Sequence, residues 1–358
     1  MKVKPHLRHL IRKSYVKKEP ALGQLLDCSL GRNPFGISER VLEVAQKYDW
    51  SRVSYYPEPT YKDLRQKLSQ FWAEHMSLTM EQIKVANGAV VVLERLNKIF
   101  IEPGSKVLGY SPQFTEYITD VEACGGEYEA VLLKPEQSFK FDVARLVARI
   151  TEKYRLIYID NPNNPTGQVI PLEQIEEILG QAERKGVAVV VDEAFGDYME
   201  RENSAVNLMD RYRNLIVVRS FSKGFGLAGL RVGYGIFPSE LAQYYDKIDI
   251  PFPVSIVGCY LAGEALSDQD FIHSCQRMVE REKQRLIQGL IEKDYLISET
   301  YKSCPIFVLG HKDRGIDLRE NLLGKGILTE GGEDFRNLGG NYVRVNTPLS
   351  AEEFLARL

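Results

Sequence analysis

Short, almost wholly apolar runs recur along this chain, with helix-patterned segments between them. Val187-Ala188-Val189-Val190-Val191 and Leu215-Ile216-Val217-Val218 are the clearest. Such a run, rich in β-branched residues and bounded by turn signals, reads as a strand buried on both faces. Strands of that kind demand cover above and below, so the pattern predicts an α/β fold with a mostly parallel sheet sandwiched by helices. From residue 83 the alternation is regular. Strands are expected at 83–86, 106–109, 128–133, 155–159 and 187–191, with helices at 90–100, 114–124, 141–150 and 171–185. Leu230 to Ile236 reads as one more strand, and Thr60 as the cap of a helix carrying Leu64, Leu68 and Phe71.

Beyond Pro251-Phe252-Pro253 the texture changes. Helices at 255–267 and 270–293 precede short strands at 305–309 and 341–346 and helices at 317–324 and 351–358. The expected organisation is a large domain over 45–250 and a smaller α/β domain from both termini. Residues 1–44 supply an N-terminal arm and part of the small domain; residues 251–358 supply the rest. A chain of 358 residues, 44% of them apolar, can bury cores for both.

Charge and cysteine usage narrow the function. The net charge of -3 offers nucleic acid no general attraction. The first eighteen residues carry seven Lys or Arg and no acid, with a single Ser, and read as an ordered arm packed with the small domain rather than a transit peptide. No apolar run approaches the ~18 residues of a membrane span. Five cysteines without a C-x-x-C pair suggest a reducing compartment, so a cytoplasmic location is expected. His6 and His9 lie far from any thiolate, and no metal site is expected.

The chemistry gathers around Ser220-Phe221-Ser222-Lys223-Gly224-Phe225-Gly226-Leu227-Ala228-Gly229-Leu230-Arg231. A lysine at a strand end can form a Schiff base with an aldehyde cofactor. Ser220, Ser222 and Arg231 are suited to a phosphate through charge-assisted hydrogen bonds. Gly224-x-Gly226-x-x-Gly229 matches a dinucleotide fingerprint, but that fingerprint must open a helix, and strand-like residues follow. Gly88-Ala89-Val90 joins a strand to a helix start, where free N–H groups and the helix dipole suit an anion. Asp192 follows an apolar strand, and a buried carboxylate needs a partner. A protonated pyridine nitrogen would serve, and would make the ring an electron sink.

Ser-Phe-Ser-Lys-x-Phe-Gly-Leu-x-x-x-Arg-Val-Gly resembles the lysine motif of fold-type I pyridoxal-phosphate enzymes, nearly in its aminotransferase form. With Asn161-Pro162-Asn163-Asn164-Pro165-Thr166-Gly167 and Asp192, the chain from Val3 to Leu358 resembles the class I/II aminotransferases, in the histidinol-phosphate aminotransferase and threonine-phosphate decarboxylase branch. The resemblance implies an aspartate aminotransferase-like fold, pyridoxal 5'-phosphate as cofactor and Lys223 and Asp192 as catalytic residues. It implies a phosphate held by Gly88, Ala89, Val90, Ser220, Ser222 and Arg231, Phe114 stacked on the ring, and Asn164 on the phenolic oxygen. Phe195 stands beside that oxygen where most members carry Tyr. Arg344 would grip the substrate's carboxylate or phosphate, with Asn33 and Tyr15 also touching substrate. Tyr56 would reach the phosphate of the other subunit in a homodimer with shared active sites.

The function implied is transfer of an amino group between an amino acid or histidinol-phosphate-like amine and a 2-oxo acid. Asp192-Glu193-Ala194-Phe195 and Asp334-Phe335-Arg336-Asn337-Leu338 are similar to the decarboxylases, which gives amino-acid decarboxylation as the alternative. A non-catalytic regulator on the same fold would need an appended DNA-binding domain or a lost lysine, and the sequence has neither.

Overall fold

The Val-rich runs form the middle of a seven-stranded sheet, and their alternate residues serve two different cores. The computed structural model describes residues 2–12 and 25–358. Its elements begin with β1 (Leu26–Asp27), α1 (Glu39–Gln46) and α2 (Lys62–Trp72). There follow β2 (Ile83–Ala86), α3 (Ala89–Phe100), β3 (Lys106–Ser111), α4 (Thr115–Ala123), β4 (Glu127–Leu132), α5 (Val143–Val147), β5 (Tyr154–Asp160) and α6 (Leu172–Arg184). Then come β6 (Ala188–Glu193), β7 (Leu215–Ser220), β8 (Gly233–Ile236) and α7 (Ser239–Ile248). The order across the sheet is β2-β8-β7-β6-β5-β3-β4, parallel throughout except for the two antiparallel pairings of β8. Val189, Val191, Leu215 and Val217 pack into one core with α2 and α6, while Val190, Ile216 and Val218 pack into the other with α3 and α4. Two-faced burial explains why these strands show no polar alternation.

The C-terminal part adds α8 (Ile256–Ala265), α9 (Gln269–Glu292), β9 (Leu296–Ile297), β10 (Ile306–Gly310), α10 (Leu318–Gly324), β11 (Ile327–Leu328), β12 (Glu330–Gly331), β13 (Tyr342–Asn346) and α11 (Ala351–Ala356). A second, antiparallel sheet runs β12-β13-β10-β9, and β1 pairs in parallel with β11, so residues from both ends of the chain meet. Here period-two alternation is plain. Phe307, Leu309, Val343 and Val345 face a core with Leu286, Leu318 and Phe354. Val308 and Ile306 face the other way, toward the large sheet and Phe195.

Three local expectations need correction. Thr60 does not cap α2: its hydroxyl bonds Glu58, and Tyr61 takes the cap position with φ 51°. The helix expected over 141–150 shrinks to α5, capped by the Asp142 side chain. Leu230 to Ile236 is not one strand, because Arg231 adopts φ 55° and β8 starts only at Gly233. The described part of the arm, residues 2–12, lies on α4, where His6 Nε2 sits 3.0 Å from the Ala123 carbonyl and Arg12 pairs with Glu116, and it lines one cleft with Arg336 and Asn337 of the C-terminal part. Among the described residues, no helix is long and apolar enough to cross a membrane.

The two sheets meet at a seam that also carries the Asn-Pro-Thr-Gly loop. Tyr301 N donates to the Gly167 carbonyl at 2.8 Å. Gly167 has φ +71°, and a Cβ there would collide with the Ile306 carbonyl. Lys283, buried on α9, donates to the Thr300 hydroxyl at 2.5 Å and to the carbonyls of Cys304 at 2.7 Å, Tyr301 at 2.8 Å and Ile306 at 3.2 Å. Gly167→Ala combines a left-handed backbone with a backbone clash. It should destabilise the protein by about 2–5 kcal/mol. Thermal unfolding of the purified variant checks this, and an unchanged midpoint would remove the seam from the stability of the fold.

Candidate active site

Two acids stand side by side at the carboxyl ends of β5 and β6, where Asp160 pairs in register with Asp192. Both are buried. Asp160 accepts from Gln113 Nε2 at 2.8 Å, Tyr110 Oη and Asn164 N at 2.9 Å, and Asn163 Nδ2 at 3.0 Å. Asp192 has fewer donors: Tyr158 Oη at 2.8 Å and Ala194 N at 3.0 Å. Burial, helped by the neighbouring Asp160 charge, pushes Asp192 up to about 7. A cation placed against Asp192 would restore its charge.

Lys223 lies just past β7. Its Nζ donates to the Gly31 carbonyl and sits 5.0 Å from the centre of the Phe195 ring. Burial, then the nearby charges of Arg344 and Arg231, lower it to about 7, against an opposing pull from Asp192. An amine so poised is partly unprotonated at neutral pH and can act as nucleophile or base. Its loop is braced from beneath. Arg219, in register with Glu193, donates to Glu193 at 2.8 Å and to Asp197 at 2.6 Å, and Gly224 leaves room for the Asp197 side chain.

An anion cradle adjoins the lysine. Arg231 Nη1 lies 3.3 Å from Ser222 Oγ, whose backbone N donates to Ser220 Oγ at 3.0 Å. The Arg231 guanidinium lies against Gly88, where any Cβ would strike it. Gly88 opens α3 with φ +88° and no side-chain cap, so the Ala89 and Val90 N–H groups point at the same space. Arg231 and Val90 are exposed in the single chain.

On the other side, Arg344 is buried and donates to Asn164 Oδ1 at 2.9 Å and to the Ser29 carbonyl at 2.8 Å. That bond engages the Asn164 Oδ1 and leaves its Nδ2 as the donor end of the amide. Phe114 precedes α4 and packs against the core that holds Tyr158; Phe195 is buried against Gly31. The structure thus brings together Lys223, Asp192, Asn164, Phe195 and Arg344 with the cradle of Gly88, Ala89, Val90, Ser220, Ser222 and Arg231.

Asn33 behaves otherwise. Asn33 is not turned to a substrate: its Nδ2 donates to the Gly224 carbonyl at 2.8 Å and to Cys275 Sγ at 3.3 Å, and its Oδ1 accepts from Phe35 N, so it ties down the lysine loop. Tyr56 is exposed and stacks on Phe252, 4.8 Å between ring centres. Tyr15 falls outside the described residues.

Sequence reasoning passed over the Gly31 carbonyl, Tyr158 and Arg219. The first two carry no local signal. Arg219 has one: a charge closing an apolar strand beside a strand that closes on Glu193.

The model for the family "Aminotransferase class I and II" matches residues 24–354. A histidinol-phosphate aminotransferase of Methanococcus maripaludis is 30% identical over 327 residues, 90% of this chain and 85% of that protein. A protein of Caldanaerobacter subterraneus named "Putative threonine-phosphate decarboxylase" is 32% identical over 315 residues, 87% of this chain and 83% of that protein. The crystal structure of the Sinorhizobium meliloti histidinol-phosphate aminotransferase in complex with pyridoxal-5'-phosphate superposes with a TM-score of 0.82, at 23% identity, over 99% of this chain and 95% of that chain.

The lowered value of Lys223 makes a pH prediction. Only the neutral amine condenses with an aldehyde, so trapping on cofactor-free protein with an aldehyde and hydride should rise about tenfold between pH 6 and 8 and then level off. Lysines of ordinary basicity should keep gaining label to pH 10. Peptide mass mapping reads both, and a Lys223 signal that climbs with the rest would contradict the assignment.

Proposed function

The chain belongs to the class I and II aminotransferases, and from that premise we propose that it moves an amino group between an amino acid, or a histidinol-phosphate-like amine, and a 2-oxo acid through a Schiff base on Lys223. What carries this reading is the lysine just past β7, whose amine burial and then the charges of Arg344 and Arg231 lower to about 7 against the pull of Asp192. Pyridoxal 5'-phosphate fits the residues present. Asp192, short of donors, suits a pyridinium nitrogen; Arg231, Ser220, Ser222 and the uncapped start of α3 suit the phosphate; Phe114 suits a ring face; and Asn164 Nδ2 suits the phenolic oxygen. Phe195 adds an apolar wall and no hydroxyl there.

When bound, the cofactor supplies an aldehyde for amines and a ring that takes up the electron pair of a bond broken at the substrate Cα. The protein decides which bond. Arg344, pinned by Asn164 and Ser29, receives the substrate's acidic group and sets its orientation. With a carboxylate held there, the Cα–H bond would be the one presented for cleavage, and Lys223 Nζ would take its proton.

We further propose a homodimer that completes the site. Arg231 and Val90 lie open in one chain, and Trp50, Val53, Tyr55, Tyr56, Ile250 and Phe252 form an exposed aromatic and aliphatic surface. Such a surface is characteristic of an interface. Tyr56 from one chain would then reach the phosphate of the other. The five free cysteines, three of them buried, suit a reducing compartment such as the cytoplasm.

Decarboxylation remains the second reading, favoured by the relative named for that activity and by Phe195. If Arg344 took a side-chain phosphate, the carboxylate would be the group left free to depart. An amino donor alone should therefore convert the bound cofactor to its amine form, read by absorbance, and a 2-oxo acid should reverse it. Carbon dioxide release without the amine form would establish decarboxylation instead. Asp192→Asn should keep the fold and lose roughly 10²–10³ in turnover, because a neutral amide does not hold the pyridine nitrogen protonated. Near-normal turnover would remove Asp192 from the mechanism.

A further inference from the structure

Asp160 and Asp192 are register partners on neighbouring parallel strands. Such partners lie about 4.8 Å apart at the backbone and project to the same face of the sheet. The alternation settles which face. Ile159 and Val191 enter the core with α2 and α6, while Tyr158 and Val190 enter the core with α3 and α4, so both acids point to the second side. Phe114 packs on that side too. Tyr158 donates to Asp192 at 2.8 Å, and the Tyr117 ring roofs it at 3.8 Å between centres. Both acids are buried, so water does little to screen one from the other.

The two are served unequally. Burial raises Asp160, and the four donors from Tyr110, Gln113, Asn163 and the Asn164 backbone oppose it. All four are neutral, so they stabilise its charge without cancelling it. Asp192 has only Tyr158 and Ala194 N. Of two coupled buried acids, the better supplied keeps its charge and the other takes the proton. The other titratable groups near Asp192 are Lys223 past β7, Tyr158 on β5 and Tyr117 on α4, while Glu193 is turned to Arg219.

We propose that Asp160 is a positioning residue for amino transfer: acting through Asp192, its charge holds the proton on the cofactor's ring nitrogen. This rests on the pyridoxal-phosphate reading of the site. The ring then stays an electron sink at a pH where one acid alone would let that proton go.

The first test reads Asp192 itself and needs neither cofactor nor substrate. Infrared difference spectra of cofactor-free wild type against Asp192→Asn isolate the carbonyl stretch of the protonated Asp192 acid. That band should fade with a midpoint of about 7. Asp160→Asn should lower the midpoint by roughly one to two pH units, the effect of removing a unit charge one strand away. Tyr110→Phe removes a donor from Asp160 but not its charge, and should move the midpoint by less than about half a unit. A midpoint unmoved in Asp160→Asn, or moved equally by both variants, overturns the proposal. The second test is nitrogen NMR of holoenzyme carrying isotope-labelled cofactor. The ring nitrogen should stay protonated to about pH 9 in the wild type and lose its proton at least ~1 unit lower in Asp160→Asn. A wild-type ring nitrogen without its proton at neutral pH overturns the proposal even if the variant does not fold. A chain that takes up no cofactor refutes the amino-transfer reading, while the infrared titration still tests Asp160.

Discussion

Two neighbouring carboxylates cannot both be charged in a buried site unless each is compensated, and the ends of β5 and β6 are arranged around that constraint. Asp160 is supplied with four donors from Tyr110, Gln113, Asn163 and the Asn164 backbone. Asp192 receives two. The first acid is therefore a fixture, around which the Asn-Pro-Thr-Gly loop is wound. The second is left in want of a cation. The polar residues that look redundant in this loop keep Asp160 content, so that Asp192 alone presents its need to a ligand. Tyr158 serves the same end, giving one bond to Asp192 while its ring stacks on Tyr117 at 3.8 Å.

Much of the architecture was legible because the chain repeats one physical statement, an apolar run bounded by helices. Each large-sheet strand but β8 was placed within two residues, since burial on both faces leaves no other reading of Val187 to Val191. What was not legible is short or strained. β1, β11 and β12 have two residues each and no period to detect. Arg231 breaks the expected strand because its side chain must return to Ser222 and Gly88, a demand invisible in local propensity.

The site divides in the same way. Lys223, Asp192 and Asn164 announce themselves through residue type at a strand end. Asn33 misled because its partners, Gly224 and Cys275, lie 191 and 242 residues away. Its amide has the right chemistry for a ligand but is already engaged. The Gly31 carbonyl that receives Lys223 has no side chain to advertise it.

The seam at Gly167 has a mechanical consequence. Asn164 belongs to the large sheet's loops and Arg344 to the second sheet, yet the hydrogen bond between them and the contact of Gly167 with the Ile306 carbonyl lock the two together. Lys283 fastens the same strand end with an amine that has four oxygen partners, none of them a carboxylate. The joint is a fixed one. Moving the second sheet against the large one would cost these bonds, so Arg344 and Asn164 keep their spacing.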